Sequence, residues 1–489
     1  MWAGNNAAFY NKFYNLVYTP DPNSMTTFVL AALLFVVKGA IAEKLFLSAY
    51  VLIYISGFVL LLRQLGKGNS YWLLSVFLFV FTYALSKGFY NFSFGIAFWF
   101  WMVWAWLRYL QNRKLTTALA VFLFSGLTFF THLLPFVFGI IACGFLLLTH
   151  GMAQDTERKL KPAAYIVRNG LILALLTGPY ILLTFLFTGK EGGLQLHLAP
   201  HPYRLLELAE FKYIINITHT ERPWAAIAGV ILSCLLAVTL IRALRSYTIN
   251  KYDGFIPALV VIGFVYTFFP EDFLGHAIII SIRTQLFIHL LIVCIVAYRM
   301  PKGRWTDMAG ATIFGCFLVL SWLRIAVRQD ADAALKNQLT ATAHIQSGSV
   351  LLPLDLSPNG RHADGKLIAD RNAIFHHSTQ YIGLEKQLIV LDNYEANMGY
   401  FPIRWKDEMN PYTYLSKAQG IEGDPPAATI AGYEKKIGTR IDYVMLWGYP
   451  PSKNNDPGFK ELYTEINALY HLIYTAQGGQ TLLYERNRP

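Results

Sequence analysis

The chain alternates long apolar runs with short polar breaks. Runs at 44–62, 70–86, 92–110, 116–131, 134–149, 169–188, 225–243, 254–269, 280–298 and 307–325 hold few charges, and each approaches the length a helix needs to cross bilayer hydrocarbon. This pattern predicts a polytopic α-helical membrane protein with about ten spans. A shorter run at 26–42, interrupted by Lys38 and followed by Glu43, predicts an interfacial or re-entrant helix.

From about Asp330 the chain turns polar and its periodicity shortens. Strand-like runs stand at Ser349 to Leu354, Gln387 to Leu391, Tyr443 to Trp447 and Thr481 to Tyr484, with a helix-like stretch from Phe459 to Tyr474. The stretch containing Pro402, Pro411, Pro425 and Pro426 reads as loops. The domains expected are an outer segment at 1–43, a transmembrane helical domain at 44–328 and a small α/β domain at 329–489.

With 55% hydrophobic residues and a mean hydropathy of +0.38, the chain has more apolar material than a soluble core of its length buries. The net charge of +11 does not call for nucleic acid, because the basic residues sit in short loops between apolar runs. Arg63 and Lys67, Arg108 with Arg113 and Lys114, Arg158 through Arg168, Arg242 with Arg245 and Lys251, and Arg299 with Lys302 and Arg304 fall in every second loop. By the positive-inside rule those loops are cytoplasmic. The loops at 87–91, 131–135, 189–224 and 270–279 then face outward; in 189–224, Lys190, Arg204, Lys212 and Arg222 are matched by Glu191, Glu207, Glu210 and Glu221. An even number of spans puts both termini outside, so the expectation is a multi-pass plasma (inner) membrane protein with an extracytoplasmic C-terminal domain.

Cys143, Cys234, Cys294 and Cys316 all lie in apolar runs, where they read as packing residues. Residues 1–25 lack the basic start and apolar stretch of a cleavable leader. An outward N-terminus with nothing ahead of it to direct export leads to the expectation of a further span upstream of Met1.

Ionisable groups at membrane depth are costly and point to function. Lys87, Tyr90 and Asn91 end one outward span, His132 sits in the turn THLLP, Glu271, Asp272 and His276 occupy an outer loop, and Arg283 lies about one turn inside the next span. On a continuous helix His276 and Arg283 share a face, which would set an imidazole over a guanidinium, a pair suited to a lipid-linked phosphate. Arg283 snorkelling to headgroups is the plainer reading. His289 falls on another face and reads as a packing residue. Glu271 and Asp272 are candidate general bases or simply solvated acids. In the C-terminal region His344, His362, His376, His377 and His471 lack metal-ligand spacing apart from the adjacent pair His376 and His377, and sequence neighbours seldom converge on one ion unless a loop turns them together. No metal site is assigned from sequence.

The segments AEKLFLSAYVLIYISGFVLLLR (42–63), KGFYNFSFGIAFWFWMVWAWLRYL (87–110), THLLPFVFGI (131–140) and the stretch from Gly275 to Arg283 resemble the GT-C class of polyprenyl-phosphate-dependent, multi-span membrane glycosyltransferases. The resemblance covers most of residues 20–330. It implies transfer of a sugar from a polyprenyl-phosphate donor in the lipid bilayer to a saccharide, lipid or protein acceptor on the outer face, with a catalytic acid in the first outer loop. Residues 1–42 hold one acid, Asp21, in the turn-like TPDPNS; a turn or helix cap explains it as well as a base does. The resemblance makes Lys87, His132, His276 and Arg283 the lipid-phosphate ligands and Asp21, Glu271 and Asp272 the catalytic candidates. A divalent cation as cofactor is left open.

In NYEANMGYFPIRW (393–405), aromatics gather with Tyr394, Glu395 and Arg404, which suits a sugar acceptor and equally a hydrophobic seam against the membrane part. The expectation is a domain packed over the outer mouth of the cavity. A lipid-linked saccharide transporter, or a degenerate glycosyltransferase kept as a binding scaffold, are the alternatives to an enzyme; a transporter would show internal repeats, and none is evident.

Overall fold

The structure is a computed structural model that describes residues 7–488 apart from 69, 154–160, 191–197, 247, 274–275, 278, 302, 363, 418–419, 451 and 453–455. It is 66% helical and divides into two units, one made of Met1–Thr19 with Arg324–Pro489 and the other of Pro20–Leu323. The first nineteen residues therefore fold with the C-terminal region, and the outer segment expected at 1–43 is split at Thr19.

In chain order the first elements are α1 (Ala7–Phe13) and β1 (Tyr14–Leu16). The helical unit follows with α2 (Met25–Leu34), α3 (Gly39–Leu62), α4 (Val76–Val80), α5 (Tyr83–Ser86), α6 (Tyr90–Asn112), α7 (Leu115–Thr131), α8 (Leu133–Met152) and α9 (Pro162–Lys190). It continues with α10 (Tyr203–Ala209), α11 (Arg222–Ser246), α12 (Phe255–Phe268), a hairpin of β2 (Asp272–Phe273) and β3 (His276–Ala277), α13 (Ile280–Arg299) and α14 (Arg304–Leu339).

Each of the ten apolar runs is helical, and among the described residues six helices are long and apolar enough to cross a membrane: Gly39–Lys67, Leu133–Met152, Pro162–Gly189, His219–Arg245, Ile280–Arg299 and Arg304–His344. The run at 70–86 is broken into a short 3-10 turn, α4 and α5, while α7 and α12 have only 17 and 14 residues. In α6 the run is long enough, but Trp99, Trp101, Trp104 and Trp106 dilute its hydropathy. The run at 26–42 is two elements, since α2 stops at Leu34 and α3 begins at Gly39.

Helices α6 and α13 are buried on nearly all sides and form the centre of the bundle. Others keep a broad apolar face outward, as with Leu171, Leu175, Leu182 and Phe185 on α9 and Val230, Val238 and Ile241 on α11. Such faces are tolerated in lipid and not in water. Close packing sets some residue choices: a Cβ on Gly254 would stand 2.3 Å from the Leu146 nitrogen, so α12 starts against the backbone of α8 only with glycine there.

The C-terminal region supplies β4 (Val350–Asp355), α15 (Gln380–Glu385), β5 (Ile389–Val390), β6 (Ile403–Trp405), α16 (Pro411–Tyr414), α17 (Ile430–Ile437), β7 (Tyr443–Trp447), α18 (Pro457–Leu469), β8 (Tyr470–Thr475) and β9 (Thr481–Arg486). The expected helix from Phe459 to Tyr474 thus ends at Leu469, and Tyr470–Thr475 is a strand. Five strands make a mixed sheet in the order β5-β4-β7-β9-β8, with β4 parallel to both β5 and β7. Strand β4 is apolar on both faces because both are covered: Val350, Leu352 and Leu354 meet α17, α18 and the N-terminal residues, while Leu351 meets Ile345, Phe375 and Ile382.

The N-terminal residues enter this unit as a strand. Tyr14, Asn15 and Leu16 pair antiparallel with Trp405, Arg404 and Ile403, and the ladder extends through Val17 N–H to the Pro402 carbonyl at 2.7 Å and Lys406 N–H to the Phe13 carbonyl at 2.8 Å. Tyr10, Phe13 and Tyr14 are buried, and the Tyr14 ring lies 4.2 Å from that of Trp405. Burying a ring such as Phe13 contributes about 2 kcal/mol, which offsets part of the conformational entropy lost on ordering the segment.

Leu16 and Ile403 face each other at a position flanked by the ladder's hydrogen bonds, where paired Cβ atoms come closest. A Leu16→Cys/Ile403→Cys protein should form that disulfide quantitatively under mild oxidation, as read by non-reducing peptide mapping. Absence of the cross-link would show that the strands do not pair.

Candidate functional site

The two ends of the bundle differ in chemistry. At one end Lys67 Nζ donates to the Pro301 carbonyl at 3.2 Å, Tyr252 OH to the Gln64 carbonyl at 3.1 Å, Gln111 to Tyr252 OH at 3.3 Å, and Arg299 pairs with Asp253. The breaks that carry Arg63, Arg108, Arg113, Lys114, Lys251 and Arg304 join helices at this same end.

The opposite end is where α6, α8 and α13 begin and α7 and α9 finish. The turn after Pro20 is stitched into it: Ser24 N–H bonds to the Phe130 carbonyl at 3.1 Å, Thr26 OH to Asn91 Oδ1 at 2.6 Å, and Asn91 Nδ2 to the Asn23 carbonyl at 3.0 Å. His132 caps α8 by accepting from Leu134 N–H through Nδ1 at 3.1 Å, and its ring meets the edge of Phe92 at 5.3 Å. Arg283 packs its guanidinium 4.6 Å from the Phe89 ring centre and 5.5 Å from that of Phe92. Phe92 is therefore shared by His132 and Arg283. The half-buried guanidinium lies on aromatic rings, a geometry unlike an extended side chain snorkelling to headgroups. Lys87 caps α5 with Nζ 6.0 Å from the Tyr83 ring.

Asp21 is buried at this end and lines a cleft of about 520 Å³ whose other walls are Pro20, Leu183, Phe185, Leu186 and Gly189. Among the described residues, Asp21 is thus the one acidic residue in the wall of this cleft.

The outer acids take a different part. Glu271 pairs with the fully buried Arg204 at 2.9 Å and accepts from Ser281 N–H at 3.2 Å, while Arg204 also donates to the carbonyls of Tyr266 and Phe269 at 2.7 and 2.6 Å. Those bonds tie the segment after α12 to the start of α13. Of the charges matched in 189–224, Lys212 pairs with Glu207 and Arg222 with Glu210, Arg204 goes to Glu271, and buried Glu221 accepts from the N–H groups of Asn216, Ile217 and Thr218, while Glu191 and the side chain of Lys190 lie outside the described residues. His289 donates through Nδ1 to the Gln285 carbonyl at 2.9 Å and packs on Phe211.

The expected His276–Arg283 face does not form, because α13 starts at Ile280 and His276 is in strand β3. A left-handed Ile279, φ 48°, breaks the helix between them. The side chains of Asp272 and His276 lie outside the described residues.

The segment 393–405 serves the N-terminal strand. Trp405 Nε1 donates to the Asn393 carbonyl at 3.0 Å and Arg404 Nε to the Phe401 carbonyl at 3.1 Å, while exposed Glu395 opens a 3-10 turn. Of the aromatics expected to form an acceptor site or membrane seam, Trp405 packs against Tyr14 of the N-terminal strand, while Tyr400 and Phe401 contact each other. Tyr394 is turned the other way and stacks on His377 at 5.4 Å with ring planes 19° apart.

That contact leads to a second cluster, which sequence reasoning missed. In the order β5-β4-β7 the chain leaves β4 to one side for β5 and to the other for β7, and ligands of open α/β sheets bind at the carboxyl ends of strands beside such a switch. Asp355 ends β4 and Asp392 follows β5 by two residues. Burial, with help from Asp392 and Asp424, pushes Asp355 up to about 8 despite its bond from Ser357 N–H. Burial likewise lifts Asp392 to about 6, opposed by donors on Thr379 and Gln380, and lifts Glu422 to about 7, opposed by the Tyr412 hydroxyl. His376 Nε2 lies 4.0 Å and His377 Nδ1 3.8 Å from the Glu422 oxygens, and the two imidazole centres are 3.9 Å apart. These three are the group among the described residues with donor atoms close enough to share an ion.

Comparison with known proteins finds no matching family model and no matching curated protein. Residue chemistry and geometry carry the functional reading.

The raised carboxyls set a pH dependence. Below about pH 4 Asp355 is protonated folded and unfolded alike; from there to its folded value near 8 the folded state holds a proton the unfolded chain has lost, so stability falls as pH rises. The slope is about 1.4 kcal/mol per pH unit for each such proton. Calorimetric unfolding of the C-terminal unit in the full chain should show a lower transition at pH 8 than at pH 5, and Asp355→Asn should flatten that difference. An unchanged slope in Asp355→Asn would show that Asp355 is not the group responsible.

Proposed function

We propose that this chain is an integral-membrane glycosyltransferase that moves a sugar from a polyprenyl-phosphate carrier to an acceptor on the outer face. The observation that carries the reading is the placement, at one end of the bundle, of Asp21 in the wall of an otherwise apolar cleft and of His132 and Arg283 on Phe92. The cleft offers leucine and phenylalanine walls to a polyprenyl chain. Arg283 and Lys87 supply cations for a phosphate that gains charge as the sugar leaves.

In this mechanism Asp21 takes the proton of the acceptor hydroxyl as its oxygen attacks the sugar's anomeric carbon, and the carbon–oxygen bond to the lipid phosphate breaks with its electrons going to the phosphate. Glu271 is not given the base role, since Arg204 and Ser281 already hold both its oxygens. His132 positions the start of α8 and braces Phe92.

Orientation follows from two supports. The basic ends of the helices mark a cytoplasmic face. Residues 14–16 and 403–405 belong to one sheet, which cannot form across a bilayer, so the helical unit makes an even number of crossings. Ten crossings satisfy this and put the C-terminal unit outside, at the plasma membrane.

Asp21→Asn should lower transfer in proteoliposomes loaded with labelled polyprenyl-phosphate sugars by about 10²-fold or more, with carrier binding retained. Arg283→Lys should weaken carrier binding about tenfold, because an ammonium cannot reproduce the planar fork of the guanidinium. Parental transfer by Asp21→Asn together with parental affinity in Arg283→Lys would dismiss the proposal.

A further inference from the structure

We infer that His376, His377 and Glu422 bind a divalent transition-metal ion of the zinc class, with a coordination position left for water or substrate. The inference is independent of the glycosyl-transfer reading, since it concerns the C-terminal unit alone.

Two consecutive residues rarely offer both side chains to one point. On a strand they face opposite sides and on a helix they diverge by about 100°. Here His377 takes a left-handed backbone, φ 62°, and this brings the two rings to 3.9 Å between centres. For a residue with a Cβ that conformation costs about 1 kcal/mol, and strain of this kind collects where a site needs it. Glu422 reaches the same point from a separate segment.

The donor set decides the class of ion. Two imidazole nitrogens and one carboxylate suit zinc and its first-row neighbours, whereas calcium and magnesium take oxygen ligands. Three protein ligands are also the number found when a zinc ion keeps a position open for chemistry. Donor atoms around a tetrahedral ion at ordinary zinc distances stand about 3.3 Å apart. One donor atom from each of the three residues lies within 4.8 Å of the others, so side-chain torsions have to close the set by about 1.5 Å at most.

Groups behind the ligands hold them in place, as metal sites require. Tyr412 OH donates to Glu422 Oε1, which fixes the carboxylate. Tyr394 stacks on His377 and fixes the plane of its ring. The charge of Asp392, which follows strand β5 at its carboxyl end, acts on Glu422, so the cluster belongs to the end of the sheet where open α/β folds bind ligands. A plain histidine–glutamate ion pair explains proximity, but it needs neither the strained backbone nor the convergence of both imidazoles.

The test uses the full-length protein in detergent, stripped with chelator and titrated with Zn²⁺ by calorimetry and with Co²⁺ by visible absorption. The parent should bind one equivalent of each, with the intense absorption of a low-coordinate Co²⁺ centre. His376→Ala and His377→Ala should each weaken Zn²⁺ binding by about 100-fold or more, and Tyr412→Phe, which touches no ion, by about tenfold. Glu422→Gln keeps the shape and an acceptor for Tyr412, so its metal-free melting should match the parent while its zinc affinity falls. Lack of saturable binding in the parent would overturn the inference, as would parental affinity in His376→Ala/His377→Ala or Glu422→Gln.

Discussion

The antiparallel pairing of Tyr14–Leu16 with Ile403–Trp405 is the constraint on which the rest of the architecture depends. It closes a loop of nearly the whole chain by putting N-terminal residues into a sheet beside the C-terminal domain, anchored by Phe13, Tyr14 and Trp405. Everything from Pro20 to Leu323 is then held between two fixed points. The proposed orientation rests on this pairing, since strands that share a sheet cannot lie on opposite sides of a bilayer.

Within the bundle, polar groups are few and are spent on holding ends together. Arg204, Glu221 and Gln285 bind backbone carbonyls or N–H groups that irregular segments would otherwise leave unpaired at depth. The same economy makes Asp21 and Arg283 informative. Asp21 lines a cleft with apolar walls, and Arg283 lies on two aromatic rings. A carboxylate in the wall of an apolar cleft and a guanidinium stand at one end, with the basic loops at the other, and the proposed function rests on that separation.

The helices were legible because each apolar run exceeds the length of any strand, and four strand positions were legible from clusters of β-branched and aromatic residues. Tyr470–Thr475 was misread because its apolar residues continue the helical spacing of α18, and only the pairing with β9 makes it a strand. The N-terminal strand carries no local signal: YNL is short, and its partner lies almost the whole chain away. Of the residues proposed for the bundle site, His132 and Arg283 were singled out by the cost of polar groups at depth and Asp21 by the resemblance, but the seven-residue spacing of His276 and Arg283 misled, since Ile279 ends the periodicity on which the argument rested. The acids of the C-terminal unit had a signal that went unread: VLLPLD and LIVLD are both apolar runs that close on aspartate, at Asp355 and Asp392. That pattern marks the carboxyl end of a buried parallel strand, but it becomes a site only when the sheet order brings the two ends together.

The central claim is that the bundle's basic end faces the cytoplasm while Asp21, Arg283 and both chain ends lie on the other side. Impermeant maleimide labelling of single cysteines in intact cells tests it most directly, with Cys234→Ala removing the exposed native thiol. Lys114 belongs to the basic end, Thr220 to the end of Arg283, and Tyr18 to the N-terminal segment; all three are solvent-exposed or at a loop surface. The account predicts labelling at Thr220→Cys and Tyr18→Cys, with Lys114→Cys reacting only after the cells are permeabilised. Labelling of Lys114→Cys in intact cells, or protection of Tyr18→Cys beside a labelled Thr220→Cys, would contradict it.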